Sequence, residues 1–310
     1  MKKIIFHYGN NFIFMNRIGE ETITFHACYI KAKELGYDDI TVEWPRVKYT
    51  YPMDKNIKIF FPPMDCSVLP MKFISKESIN FHEYDKIIDL DKDNALYDGY
   101  PSANPSIGIR EHIGFYEYLN KYYIDTKIIP MIEPIKDKTH INILFHYRNA
   151  AYSKTRDSSI EEIKSIIKLL NENLNKKNII YNITGDIFSQ EDYLNFILLT
   201  PNVYRPFLRN ISKLFVLVSK MDLIICPSSG MVDIGGIFGI PFIMMNVPRI
   251  YKDKPYANTE EYWKLHNRKY GKDMYSYKGP DNYKFYFTGE SYNLVEDVIK
   301  MVDRISKEKI

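Results

Sequence analysis

Four stretches of the chain place glycine, hydroxyl, carboxylate or cationic groups directly after apolar runs, where a parallel strand would hand over to a helix. The most telling runs from Asp222 to Pro241. An apolar run ending at Cys226 meets Pro227-Ser228-Ser229-Gly230, then Met231, Val232 and Asp233, with Gly235, Gly236 and Gly239 beyond. Small residues at a helix start bring backbone N–H groups and hydroxyls against phosphate oxygens. A serine that merely caps the helix is the plain alternative. The Walker pattern G-x-x-x-x-G-K-[ST] is absent.

The second stretch is His146-Tyr147-Arg148, followed by Lys154-Thr155-Arg156. Three cations near one strand end suit a diphosphate, with Arg148 able to bind two oxygens at once; a solvated basic loop is the alternative. His146 reads as a structural histidine. The third, Ile183-Thr184-Gly185-Asp186, puts a glycine after a strand, either to let a ligand ring approach the backbone or to make a turn. The fourth, Asn16-Arg17-Ile18-Gly19-Glu20-Glu21-Thr22, sets two acids in a first helical turn. One of them could deprotonate a hydroxyl, or both could simply complement the helix dipole.

Other chemistries find no foothold. There is no H-E-x-x-H motif, no Cys/His cluster and no G-x-S-x-G elbow. Asp89, Asp91 and Asp93 alternate after a strand, which favours a solvated loop over a metal site. No metal is therefore expected.

The elements that must position these groups alternate strand and helix. In the first half, Lys3–His7, Asp39–Glu43, Ile57–Phe61 and Lys86–Leu90 read as strands of one parallel sheet. Glu20–Leu35 reads as a helix stopped by Gly36, and His112–Tyr123 as an aromatic helix. The Pro- and Lys-bearing segment Asp125–Thr139 has linker chemistry. The alternation then restarts, with strands at Ile141–His146, Asn178–Ile183, Leu223–Cys226 and Pro241–Met245. Helices are expected at Ser159–Leu174, Ile211–Ser219, Met231–Phe238 and Val295–Ile305. The expected organisation is an α/β chain of two doubly wound, Rossmann-like domains facing across a cleft, residues 1–128 and 140–310, joined by a linker at 129–139.

A length of 310 residues suits two such domains. The formal charge of +3 does not mark a nucleic-acid binder. No run approaches a spanning helix, and the start reads as a strand rather than a signal peptide. Cys28, Cys66 and Cys226 show no disulfide or zinc spacing, so a reducing cytoplasm is expected. Peripheral attachment at the inner face of a membrane is compatible with this.

Taken in order, these junctions resemble the bacterial lipopolysaccharide heptosyltransferases, glycosyltransferases of GT-B architecture. Residues Arg17–Thr22 resemble that family's first loop, where a Gly-acid pair opens the first helix and the acid is the proposed base. The segments Ile87–Leu90 and His112–Leu119 resemble a later strand and the helix closing its first domain. Lys154 and Arg156 stand where the family has a basic pair, and Ile183–Asp186 resembles its nucleotide loop. Residues Cys226–Asp233, ending at Gly239-Ile240-Pro241, resemble its Asp-(Ser/Thr)-Gly-x-x-His stretch, with Ser228 for the acid and Asp233 for the histidine. Residues 17–37 together with His146-Tyr147-Arg148 also resemble fucosyltransferases that use GDP-fucose.

The resemblance implies an inverting, metal-independent transferase working in cell-surface polysaccharide or lipopolysaccharide synthesis, with no cofactor. A nucleoside-diphosphate sugar is the expected donor and a glycan or lipid-linked glycan the expected acceptor, with no nucleic-acid partner. Glu20, standing where the family has Asp, would act as base, with Glu21 as the other candidate. Arg148, Lys154, Arg156, Gly185, Asp186, Ser228, Ser229, Gly230 and Asp233 would hold the donor. A nucleotide-sugar epimerase or a non-catalytic nucleotide-binding protein would share the architecture.

Overall fold

The structure is a computed structural model. It describes residues 1–7, 18–43, 48–50, 58–60, 68–90, 137, 139–149, 157–174, 178–185, 190–191, 194, 198, 202–203, 211–227, 229–247 and 283–309. The expected helix at 112–123 and most of the expected linker lie outside the described residues.

The first half builds a four-stranded, wholly parallel sheet. Strands β1 (Lys3–His7) and β2 (Asp39–Glu43) are joined by helix α1 (Ile18–Glu34). The helix ends where Gly36 takes a left-handed φ of 76°. There Gly36 N–H donates to the Lys33 carbonyl and Tyr37 N–H to the Ala32 carbonyl, which closes the last turn. The sequence places Ile57–Phe61 in this sheet, and the structure corrects that. Strand β4 (Lys58–Phe60) pairs antiparallel with β3 (Lys48–Thr50) in a separate hairpin. The parallel edge is taken by β5 (Lys72–Ile74), whose brevity hides it from pattern reading. With β6 (Lys86–Asp89), the order is β5-β2-β1-β6.

The second half contributes β7 (Ile141–Tyr147), α2 (Ile160–Asn173), β8 (Ile179–Gly185), β9 (Asn202–Val203), α3 (Ile211–Val218) and β10 (Leu223–Pro227). It continues with α4 (Met231–Ile237), β11 (Phe242–Val247), β12 (Tyr283–Phe287) and α5 (Leu294–Glu308). The short β9 and the Tyr-rich β12 are further strands that the pattern misses. All pairings are parallel, in the order β12-β11-β10-β7-β8-β9. Renumbered within the half, that is the 3-2-1-4-5-6 order of doubly wound dinucleotide folds.

Strand alternation sorts the core into two layers. Ile143, Phe145, Ile225 and Ile243 face α2 and α5, while Leu144, Ile224, Cys226 and Phe242 lie on the α3–α4 side. The second layer is continuous with the core of the first half, because α1 packs against α4. This explains why α1 buries Phe25, His26, Ala27, Cys28, Tyr29 and Ile30 in succession. A helix with only one covered face would leave several of these exposed.

At the amino edge of the six-stranded sheet, Asp222 is wholly buried. Its carboxylate accepts from Asn142 N–H at 2.8 Å and from Lys309 Nζ at 2.8 Å. The same ammonium donates to the carbonyls of Asp137 and His140, tying the end of α5 to the entry of β7. Removing one partner strands the other in low dielectric. We expect Asp222→Ala to lose about 3–5 kcal/mol in urea unfolding. A loss under about 1 kcal/mol would mean that the pair is as weak as a surface bridge.

Candidate functional site

In the six-stranded sheet the winding reverses between β7 and β10. Chain leaving β7 goes one way across the sheet and chain leaving β10 the other, the arrangement in which doubly wound sheets take ligands beyond the strands' carboxyl ends. Arg148 follows β7 and Ser229-Gly230 follows β10, while Gly185 ends β8 on the far side of β7. The structure therefore gathers three of the four sequence-identified junctions at one sheet edge. Lys154, Arg156, Asp186 and Ser228 lie outside the described residues, and so does the Asp233 side chain, although Asp233 is within α4.

Arg148 is only 5% exposed. Its guanidinium donates to Asp157, and its backbone N–H donates to Ser158 Oγ at 3.0 Å. Ser158 N–H returns a bond to the Arg148 carbonyl at 3.0 Å. The segment 149–157, which carries Lys154 and Arg156, is thus pinched at its base. Asn246 supports the far foot of that pinch. It adopts a left-handed φ of 53°, where β11 slips register against β12. From there its Nδ2 donates to the Asp157 carbonyl at 3.0 Å and to Glu162 Oε2 at 2.9 Å. Ser291 Oγ donates to the other Glu162 oxygen, and Ser159 caps α2 by accepting from Glu162 N–H at 2.9 Å. Arg148 is thereby a charge-compensated anchor for the segment, and the reading of it as an open diphosphate ligand gains nothing from this geometry.

Gly185 has a φ of 112°, and a Cβ there would meet the Tyr147 carbonyl oxygen at 1.9 Å. The glycine is demanded by the close approach of β7 itself. His146 is buried, with Nδ1 3.3 Å from Thr184 Oγ1. Burial, and then the Arg148 charge, push its pKa down to about 4, as expected of a structural histidine.

After β10, Ser229 is half-buried and its Oγ accepts weakly from Met231 N–H at 3.4 Å. Val232 N–H donates to the Ser229 carbonyl and Ile234 N–H to that of Gly230. Ser229 thus lines the turn into α4, whose N-cap is Gly230. Gly235 has a packing reason: a Cβ there would meet Ile224 Cδ1 at 2.5 Å, so the glycine lets α4 lie close on β10.

In the first half, the backbones of Glu20 and Glu21 fall in the first turn of α1, as expected, while their side chains lie outside the described residues. The winding reverses here too, between β1 and β6. Those strands end in register at His7 and Asp89, with Nε2 and Oδ2 3.9 Å apart. Sequence reading missed this pair. The available signal was that two apolar runs, Ile4–Phe6 and Ile87–Ile88, each end in one ionisable residue. Among the described residues no three His, Cys, Asp or Glu side chains form a metal-binding group. No described helix is long and apolar enough to cross a membrane.

No family model matches the chain, and no curated protein matches it. Solved structures do align over its length at low similarity. E. coli heptosyltransferase WaaC with ADP is 10% identical with a TM-score of 0.42, covering 100% of this chain and 99% of that one. E. coli ADP-heptose lps heptosyltransferase II is 8% identical at a TM-score of 0.44, covering 100% and 99%. A glycosyl transferase family 9 structure from Veillonella parvula is 12% identical at 0.41, covering 99% and 97%.

The buried histidines make stability depend on pH. Desolvation pushes His26 down to about 3 and His146 to about 4. Below about pH 6.5 the unfolded chain takes up protons that the folded chain refuses, so stability falls as pH drops from 6.5 toward 4. Each histidine contributes a slope of up to about 1.4 kcal/mol per pH unit. Urea melts at steps between pH 7.5 and 5 should show this decline, and His146→Gln should remove one proton's share. A flat profile in the native sequence would contradict the burial of both imidazoles.

Proposed function

We propose that the chain is a glycosyltransferase of GT-B architecture, moving a sugar from a nucleoside-diphosphate donor to a hydroxyl on a glycan or lipid-linked glycan. The observation that carries this reading is the pair of parallel sheets, each with a reversal of winding. Such a reversal is where open α/β sheets bind nucleotides and other ligands at the strands' carboxyl ends. Two crevices in one chain suit a reaction with two substrates. The motif order from Arg17 to Pro241 supports the same conclusion.

In this reading the C-terminal crevice takes the donor. The segment bearing Lys154 and Arg156, pinned by Arg148 and Ser158, supplies cations to the diphosphate, and the turn Ser228–Gly230 supplies N–H groups and hydroxyls. Asp186 and Asp233 would contact the nucleoside or sugar. The first half presents the acceptor, whose oxygen attacks the anomeric carbon with inversion. The bond to the diphosphate breaks, and the leaving group takes the electron pair. Charge grows on the diphosphate, so fixed cations contribute most to lowering the barrier. The acceptor's proton passes to a base in the first half, either a first-turn carboxylate of α1, Glu20 or Glu21, or the His7–Asp89 pair.

Lys154→Ala and Arg156→Ala should each weaken nucleoside-diphosphate binding roughly 10- to 150-fold, as for loss of a charge-assisted contact, with unfolding unchanged. Arg148→Ala should differ by also lowering stability, because the half-buried Asp157 would lose its cation. Calorimetric titration with ADP, GDP and UDP, beside thermal melts, reads both effects. Undiminished affinity in the Lys154 and Arg156 variants would remove the diphosphate from this segment.

We further propose that the diphosphate charge is met by these side chains and backbone N–H groups without a divalent cation. Transfer should then persist in excess EDTA. A strict requirement restored by magnesium or manganese would overturn that and point to Asp89, Asp91 and Asp93.

A further inference from the structure

The carboxyl edge of the four-stranded sheet holds an ionisable pair that the sheet itself does not require. His7 and Asp89 are the last residues of β1 and β6, the two strands that flank the reversal of winding. Their side chains are 16% and 15% exposed, covered enough to be held and open enough to meet a substrate. The imidazole is fixed from a second side by the Phe81 ring, edge-on with centroids 5.0 Å apart at 68°. Leu90 N–H donates to the His7 carbonyl at 2.8 Å, locking the two strand ends together. The residues before them on this sheet are apolar and pack into the core, as Phe6 and Ile88 do. A histidine and an acid in register just past that core sit where a crevice ligand would arrive.

We propose that His7 takes the proton of the acceptor hydroxyl, with Asp89 as the residue that positions and stabilises it. This rests on the transferase reading above. For this step the imidazole must hold its proton on Nε2, the nitrogen 3.9 Å from Asp89 Oδ2, and present the Nδ1 lone pair to the substrate. As the acceptor oxygen bonds to the anomeric carbon, its proton moves to Nδ1. The bond between the anomeric carbon and the diphosphate oxygen breaks, and its electron pair leaves with the diphosphate. The imidazolium that results is balanced by the Asp89 carboxylate and returns its proton to water. On the other side of β1, β2 ends in the buried Glu43, one residue beyond Val42, the register partner of Phe6. His82 and Glu83, in the turn that carries Phe81, are exposed. Glu20 and Glu21 then serve as first-turn acids that complement the α1 dipole.

The test uses the full chain with a panel of ADP-, GDP- and UDP-sugars and de-acylated lipopolysaccharide core oligosaccharide as acceptor. His7→Ala should lower kcat by roughly 10²–10⁴ with nucleoside-diphosphate affinity unchanged, and added imidazole should restore part of the rate. Nitrogen-15 histidine NMR of the native protein at neutral pH should show His7 protonated on Nε2 and bare on Nδ1. Asp89→Asn should lower kcat and disturb that tautomer signature. Near-native turnover in His7→Ala, or the opposite tautomer in the native protein, would overturn the dyad while leaving the transferase reading in place. Loss of turnover in Glu20→Gln with retention in His7→Ala would return the base to α1. A native chain that turns over no donor in the panel overturns the transferase reading and the dyad with it.

Discussion

Every described strand in the two main sheets runs parallel to its neighbours, and that constraint organises the rest of the molecule. A parallel pair cannot be closed by a tight turn, so each strand must be followed by a crossover that returns the chain to the starting edge. The crossover helices then cover both faces of the sheet, and all carboxyl ends collect at one edge. Chemistry can reside there because the groups after each strand are already neighbours, whatever their separation in the sequence. Arg148 and Ser229 are far apart along the chain, yet they follow adjacent strands.

The two carboxyl edges are built differently. Behind the C-terminal edge lies a largely covered polar network running from Arg148 through Asp157 and Asn246 to Glu162 and Ser291. Burying these groups would be costly unless each found a partner, and the left-handed turn at Asn246 is retained because its amide serves two acceptors at once. The network's product is a fixed base for the cationic segment. At the N-terminal edge, His7 and Asp89 stand 3.9 Å apart and are each about one-sixth exposed. In the proposed transferase reading, the fixed base at the other edge holds the cationic segment that meets the leaving diphosphate.

One of the two apolar clusters spans both halves, while the other lies within the second. Helix α1 starts at the Gly19-Glu20 junction and packs along α4, which starts just after Ser229-Gly230. The glycine at 235 brings α4 close onto β10, and the continuous apolar layer runs from Phe6 through Phe25 to Phe215 and Phe238. The two sheets are therefore linked through packed side chains of α1 and α4.

The strands Lys3–His7 and Asp39–Glu43 were legible to the residue, because short apolar runs bounded by polar residues leave little choice of ends. Helix α2 was equally clear, with Ile163, Ile166, Ile167 and Leu170 on one face and Ser159 at its cap. The pattern failed for Ile57–Phe61, since an apolar run looks alike in a hairpin and in a parallel sheet. It failed again for β5, β9 and β12, which are short or defined by pairing rather than by composition. For the site, residue type alone brought out the basic stretch, the Ser-Ser-Gly turn and the Gly-acid turn, because glycine, hydroxyl and charge after an apolar run are local signals. Only the tertiary structure decided that Arg148 is neutralised by Asp157 and that Gly185 yields to the Tyr147 carbonyl. It alone brought His7 against Asp89, a partner 82 positions along the chain. Strand order and register bring those groups into contact, and both arise from packing between segments that carry no mark of one another in the sequence.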